Sequence, residues 1–339
     1  MKIVQLNHLS WMGLNIAIAT FLGACLGGVV SEQNPGIKID GSSTVYPITQ
    51  AIAEQYRANK ADSNLTVDFS GTGGGFKKFC AGQTDINNAS RPISKAEMEE
   101  CKAQGVAYIE LPIAFDALTI VVNPANDWLK NISLEELNKI WSPAAEQNLT
   151  RWNQINADLP DRPLNLYAPG KDSGTYDYFT EAVVGKAGSS RNDYLQSEDD
   201  TILVQGVKQD PNALGYLGLA YYESNQDQIK AVAVDSGTGA VLPSRETVEA
   251  GEYQPLSRPL FIYVNSSAAQ KNPDLKEFVE TYLEQAPEIV SQVGYVPLPE
   301  DGYQLTEIHF QRGKVGTVFE GQSAFNLTIG ELLRRQATF

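Results

Sequence analysis

The segment Pro163-Leu164-Asn165-Leu166-Tyr167-Ala168-Pro169-Gly170-Lys171-Asp172-Ser173-Gly174-Thr175-Tyr176-Asp177-Tyr178-Phe179 changes period at its middle. Up to Pro169 apolar and polar residues alternate, the period of a strand, and Pro169-Gly170 breaks it. Beyond the break Tyr178, Phe179, Ala182 and Val183 recur at helical spacing, so a helix starts at or just after Ser173. The junction therefore presents Ser and Thr hydroxyls and unpaired backbone N–H groups at a helix N-terminus. Such a terminus carries partial positive charge and is a ready site for an anion.

Two earlier segments repeat the pattern. Residues 37–40 read as a strand, followed by Gly41-Ser42-Ser43-Thr44-Val45-Tyr46-Pro47 and a helix with Ile48, Ile52, Ala53 and Tyr56 on one face. Residues 65–69 read as a strand running into Ser70-Gly71-Thr72-Gly73-Gly74-Gly75, where Phe76 and Phe79 begin another helix. Glycine-rich turns of this kind raise the question of nucleotides. With Gly71 as the first position the sixth is Phe76, so there is no G-x-G-x-x-G; Gly170-Lys171 is followed by Asp172 and Gly185-Lys186 by Ala187, so there is no P-loop. What remains is a close backbone approach to something small, or simply tight turns. Asp235-Ser236-Gly237-Thr238 repeats the tetrapeptide at 172–175, but Gly239 to Pro243 follow it and no helix begins there. That copy reads as an ordinary loop.

The 339 residues carry a net charge of -15, from 41 acidic and 26 basic side chains, which argues against nucleic acid or an anionic membrane surface as partner. An anion must then be held by local donors against an unfavourable overall field. Lys2 is the only charged residue before Glu32, and residues 9–24 are largely apolar, long enough for an export signal. The run ends in Leu22-Gly23-Ala24-Cys25, which resembles a bacterial lipobox with Cys25 as the lipidated first residue; the alternative is a plain secretory signal with Cys25 discarded. Export leaves Cys80 and Cys101, read as one disulfide worth about 3 kcal/mol, with two buried thiols as the alternative. His8 lies in the signal and His309 stands alone near the C-terminus, so triads, His-based acid–base catalysis and His-rich metal sites have little support. No cofactor or metal is expected.

Further along, Arg91 ends a short strand-like run that Pro92 stops. Residues 111–124 form a long apolar strand with one carboxylate inside it, Asp116, which needs a partner or a task. Residues 259–265 form a second long apolar strand. The two strands bracket a central block of alternating strands and helices, as when a chain crosses to a second lobe and returns. Expected boundaries are a signal at 1–24, a tether at 25–35, lobe 1 at 36–120, lobe 2 at 121–258, and lobe 1 again at 259–339.

Four blocks in order, Gly41-Ser42-Ser43-Thr44-Val45-Tyr46-Pro47, Ser70-Gly71-Thr72-Gly73-Gly74-Gly75-Phe76-Lys77, Ala89-Ser90-Arg91-Pro92-Ile93 and Asp172-Ser173-Gly174-Thr175, resemble the phosphate-binding proteins of high-affinity phosphate ABC importers. The resemblance is to the PstS type, most closely its cyanobacterial SphX-like branch, over residues 36–330. It implies an α/β, two-lobed periplasmic-binding-protein fold (type II), each lobe a mixed sheet flanked by helices, with phosphate in the inter-lobe cleft. Carried over, Ser43, Thr44 and Val45 come from the first turn, Thr72 and Gly73 from the glycine loop, and Ser173, Gly174 and Thr175 from lobe 2. Better-known members have an Arg shortly before the Ser-Gly-Thr, where this chain has Ala168-Pro169, and an Asp where it has Arg91. Arg91 is therefore expected to supply the guanidinium, whose planar fork suits an oxyanion. Asp116 is the first candidate to accept the phosphate proton, which would discriminate against sulfate, and Asp177 the second.

The expected function is a non-catalytic, extracytoplasmic receptor that closes on inorganic phosphate and delivers it to a membrane ABC permease. It is expected to be monomeric, periplasmic and anchored by a lipid on Cys25. A binder of sulfate, molybdate or an organic phosphate is the alternative on the same fold. A phosphatase would need a nucleophile with a base, or a metal cluster, and neither is visible.

Overall fold

Each of the first two strands runs straight into a turn that starts a helix, and this sets the architecture. In the computed structural model, which describes residues 36–171, 173–322 and 325–339, β1 (Ile37–Gly41) leads to α1 (Tyr46–Asn59), and β2 (Leu65–Val67) to α2 (Thr72–Cys80). Next come β3 (Ile86–Ala89), α3 (Lys95–Ala103) and the fully buried β4 (Tyr108–Val122). The expected signal, tether and Cys25 lie outside the described residues.

The central block holds β5 (Asn131–Ser133), α4 (Leu134–Trp141), β6 (Asn165–Ala168), α5 (Gly174–Phe179), β7 (Leu195–Gln196), α6 (Asp200–Gln209), β8 (Ala213–Gly218) and α7 (Leu219–Glu223). After β9 (Lys230–Ala231), β10 (Ala233–Asp235), β11 (Ala240–Val241) and α8 (Arg245–Glu249), the chain returns along β12 (Ser257–Asn265). It ends with α9 (Ser266–Lys271), α10 (Pro273–Gln292), β13 (Val296–Pro297), α11 (Glu300–Gln311) and α12 (Ile329–Thr338).

The strands lie in the order β2-β1-β3-β12-β4-β8-β6-β7, with β13 and β9 also on β4, and β11-β10-β5 form a separate small sheet. β4 is the shared strand. Its first part pairs with β12, from Tyr108 opposite Asn265 to Ala117 opposite Ser257, and its last five residues pair with β8. Parallel β2-β1-β3 and antiparallel β12 make the first half mixed, and β6 parallel to β8 with β8 antiparallel to β4 makes the second half mixed. A strand buried on both faces must be apolar along its whole length, which is why β4 reads as a continuous run rather than an alternation.

Local signals account for most element ends. Ser94 and Ser133 each sit in a capping box with the Glu three residues on, starting α3 and α4. The Ser-Gly-Thr copy at 236–238 lies between antiparallel β10 and β11, so it is a hairpin turn with no helix behind it. Two helices depart from regular α geometry along their length. α10 continues through Pro287 to Gln292, since its buried Ala286, Ile289 and Val290 keep the core-facing stripe going past the proline. After Phe179 the helix widens into a π turn over Thr180–Val184 before Gly185 ends it in a left-handed conformation. Cys80 and Cys101 form a disulfide joining α2 to α3.

Candidate anion-binding site

Three helix N-termini carry hydroxyls, and the fold brings them together where β4 and β12 cross between the two halves. Ser173 caps α5: its Oγ accepts the N–H of Thr175 at 3.1 Å. Thr44, just before α1, lies with its Oγ1 3.2 Å from Thr175 Oγ1. Thr72, the first residue of α2, lies with its Oγ1 3.1 Å from Ser90 Oγ and accepts the Ser90 N–H at 3.2 Å. Gly174 closes the ring. A Cβ there would stand 2.1 Å from Ser90 Oγ and 2.7 Å from Thr72 Oγ1, so only glycine allows the second half to approach this closely.

At the centre is Arg258. It is the second residue of β12, directly opposite Asp116 of β4 in the antiparallel register, and both side chains are 0% exposed. Its Nε and Nη2 donate to Asp116 Oδ2 at 3.2 and 2.9 Å. Nη1 donates to the Gly174 carbonyl at 2.8 Å, and Nη2 to Thr175 Oγ1 at 2.8 Å and Thr44 Oγ1 at 3.3 Å. The Tyr178 ring lies 5.5 Å below the guanidinium, and its hydroxyl donates to the Pro255 and Ser257 carbonyls, fixing the start of β12. Burial pushes the Asp116 carboxyl upward, and the Arg258 charge beside it pulls the other way. Asp116 Oδ1 is buried and makes no hydrogen bond of normal geometry.

Residues 28–284 match the PBP superfamily domain. Protein SphX of Synechocystis sp. is 61% identical over 309 residues, 91% of this chain and 92% of that protein. The phosphate-binding protein PstS of Staphylococcus saprophyticus is 36% identical, over 85% of this chain and 89% of its own length. The chain belongs to the PstS-type family of phosphate-binding proteins, in its SphX-like branch. A solved structure described as a possible phosphate binding protein, from Planctomyces limnophilus, superposes with a TM-score of 0.66 at 42% identity, covering 83% of this chain and 99% of that one. The type II α/β fold expected for this PstS-type chain is the fold it has.

Thr44, Thr72, Ser173, Gly174 and Thr175 all line the ring around Arg258 or stand next to it. Val45 is buried at the start of α1 and Ser43 is partly exposed beside Thr44. Gly73 points toward another group: a Cβ there would be 3.7 Å from Arg91 Nη2 and 3.9 Å from Glu97 Oε1. Arg91 itself gives Nη1 and Nη2 to the two oxygens of Glu97, each at 2.9 Å, and Nη1 also to the Pro92 carbonyl. Its Nε is 3.9 Å from Asp177 Oδ2. The Arg91 fork is thus occupied, at the edge of a cavity that it lines with Ser94, Asp177 and Glu181. Burial raises the Asp177 carboxyl, Arg91 lowers it, and Glu97 and Glu181 raise it further.

Sequence reasoning missed Arg258 and Ser90. Ser90 stands inside one of the quoted motif blocks but was overshadowed by its charged neighbour. Arg258 did leave a signal: a lone acid in one long apolar strand calls for a lone base at the edge of the other. The Ser94-x-x-Glu97 capping box was also legible, and it places the carboxylate that takes up Arg91.

Proposed function

We propose that the protein binds inorganic phosphate in the ring formed by Thr44, Thr72, Ser90, Ser173, Gly174 and Thr175, with Arg258 as its guanidinium donor. It acts as an extracytoplasmic receptor that delivers the ion to an ABC permease. Ser43, Val45 and Gly73 add donors from the turns that open α1 and α2. The observation that carries this reading is Arg258, wholly buried and bonded at once to Thr44 of the first half and to Gly174 and Thr175 of the second. A guanidinium there gives charge-assisted, directional bonds in a dry site, which an oxyanion with three or four acceptor oxygens can use and a neutral solute cannot. The ion would replace the Thr44–Thr175 and Thr72–Ser90 hydroxyl contacts, so that binding and closure of the two lobes are one event. In this reading the lobes divide within β4 at residues 120–121 and near the start of β12 at residues 258–259.

Asp116 has two roles in this scheme. Its Oδ2 orients Arg258, and its Oδ1 accepts the proton that phosphate carries and sulfate lacks. Asp177, at the rim, faces Arg91 rather than the ring. Arg91 with Glu97 fixes the loop that carries Ser90. A lipid on Cys25 holds a monomeric receptor near its transporter in the periplasm. The family is one of substrate-binding receptors, and His309 is buried on α11 against Phe339, so it is not a base for Ser173.

Titration of the purified chain with phosphate and with sulfate, followed by heat or tryptophan fluorescence, tests the reading. Phosphate should bind and sulfate should not; tight sulfate binding without phosphate binding overturns it. Asp116→Asn should weaken phosphate at neutral pH by about tenfold or more and relax the rejection of sulfate. An unchanged pair of affinities removes Asp116 from the site.

A further inference from the structure

We propose that Asp40 and Lys78 form a positioning pair for the anion site, in which one buried carboxylate sets both first-half turns and Lys78 cancels its charge. The proposal rests on the phosphate reading above. Asp40 is the fourth residue of β1 and only 3% exposed. Its Oδ1 accepts the Gly41 N–H at 2.7 Å and the Ser70 hydroxyl at 2.6 Å, and its Oδ2 accepts from the Lys78 ammonium. Gly41 begins the turn that ends at Thr44. Ser70 begins the turn that ends at Thr72. The bonds of Asp40 thus go to the first residue of each turn and not to the ring of hydroxyls, so it acts through them.

The two turns are already in contact. Ser70 N–H donates to the Gly41 carbonyl at 3.1 Å, and a Cβ on Gly75 would come 2.4 Å from Gly41 Cα. Gly41 has φ +130° and no room for a side chain, since a Cβ would lie 2.2 Å from the Asn88 carbonyl oxygen. A displacement of either turn is therefore passed to the other, and the carboxylate is the group that holds both. A carboxylate suits this position because one oxygen takes two short donors while the other faces an ammonium. An amide would turn its NH2 toward Lys78 instead.

That choice has an electrostatic cost at an anion site. A buried negative charge under the turns that hold phosphate opposes the ion, unless a cation cancels it. Lys78, on α2 and 43% exposed, is that cation. Its position on the outer face of the helix makes it removable without opening a cavity in the core.

Phosphate titration of the full chain at low and high salt tests the pair. Lys78→Met should bind phosphate about tenfold more weakly at low salt, with most of the deficit persisting at high salt because Asp40 and the ion are both buried. Asp40→Asn combined with Lys78→Met removes both charges but keeps an acceptor for Gly41 and Ser70. That double variant should return to within about threefold of the unsubstituted chain, a recovery that a merely structural role for Lys78 would not give. Melting temperatures of the same variants separate affinity from stability. Lys78→Met binding phosphate like the unsubstituted chain at low salt, or a double variant no better than Lys78→Met, overturns the proposal. If the unsubstituted chain does not bind phosphate, the phosphate reading falls, and the pair with it.

Discussion

In the proposed site Arg258 and Asp116 serve both the fold and the ion, so a single substitution mixes two effects. Removing Arg258 alone leaves a buried carboxylate without its cation, a change that costs about 3–5 kcal/mol. Arg258→Met should therefore lower the melting temperature sharply as well as abolish phosphate binding. Replacing the pair together, Arg258→Met with Asp116→Leu, exchanges the two charges for apolar volume and should recover most of that stability. It should not recover binding. Calorimetric titration of the double variant decides the matter: a folded double variant that still takes up phosphate would show that the guanidinium is not the ion's donor. The pair also marks the limit of local reading. Ser173, Thr175, Thr44 and Thr72 are each announced by a strand, a turn and a helix within a dozen residues. Arg258 meets Asp116 only because of the register in which the start of β12 pairs with β4, across 142 residues of chain. A one-residue slip in that register would turn the guanidinium to the other face of the sheet.

At the scale of elements, β4 and β12 are bound to the C-terminal segment through another buried acid. Glu110 of β4 accepts the Tyr263 hydroxyl at 2.7 Å through Oε2, and the Val318 N–H at 3.3 Å through Oε1. Burial outweighs these bonds and pushes the carboxyl up to about 7 from an ordinary value of 4.5. The folded chain thus keeps a proton that the unfolded chain gives up earlier. The contribution of Glu110 to stability is fully present below about pH 4.5 and is lost as the pH rises through about 7. The loss is roughly 3 kcal/mol across that window. Glu110→Gln should flatten this part of the pH profile and leave the variant more stable than the parent above pH 7. Urea unfolding of both proteins at several pH values checks it; equal slopes would assign the effect to other groups. Such elements were legible in part. The apolar runs of β4 and β12 were legible, whereas the passage of α10 through Pro287, held by buried Ile289 and Val290, was not. Tertiary burial decides such cases, and it leaves no local trace.

The molecule as a whole opposes its own ligand. With a net charge of -15 it repels an approaching phosphate, while the guanidinium and helix termini proposed to hold the ion are buried and act only over short distances. The two fields have different ranges, so salt should separate them. Raising ionic strength screens the long-range repulsion among exposed acids, and leaves the bonds of the dry ring nearly unscreened. The association rate of phosphate should therefore rise with salt, with little change in the dissociation rate, the reverse of what electrostatic steering by a basic surface would give. Stopped-flow fluorescence over a range of sodium chloride concentrations measures both rates. An association rate that falls steeply with salt would mean that local positive potential extends beyond the cleft mouth and governs capture. In that case the Arg91 side of the cleft, where the guanidinium lies beside Glu97, Asp177 and Glu181, would not be the route of entry, since that wall is net negative.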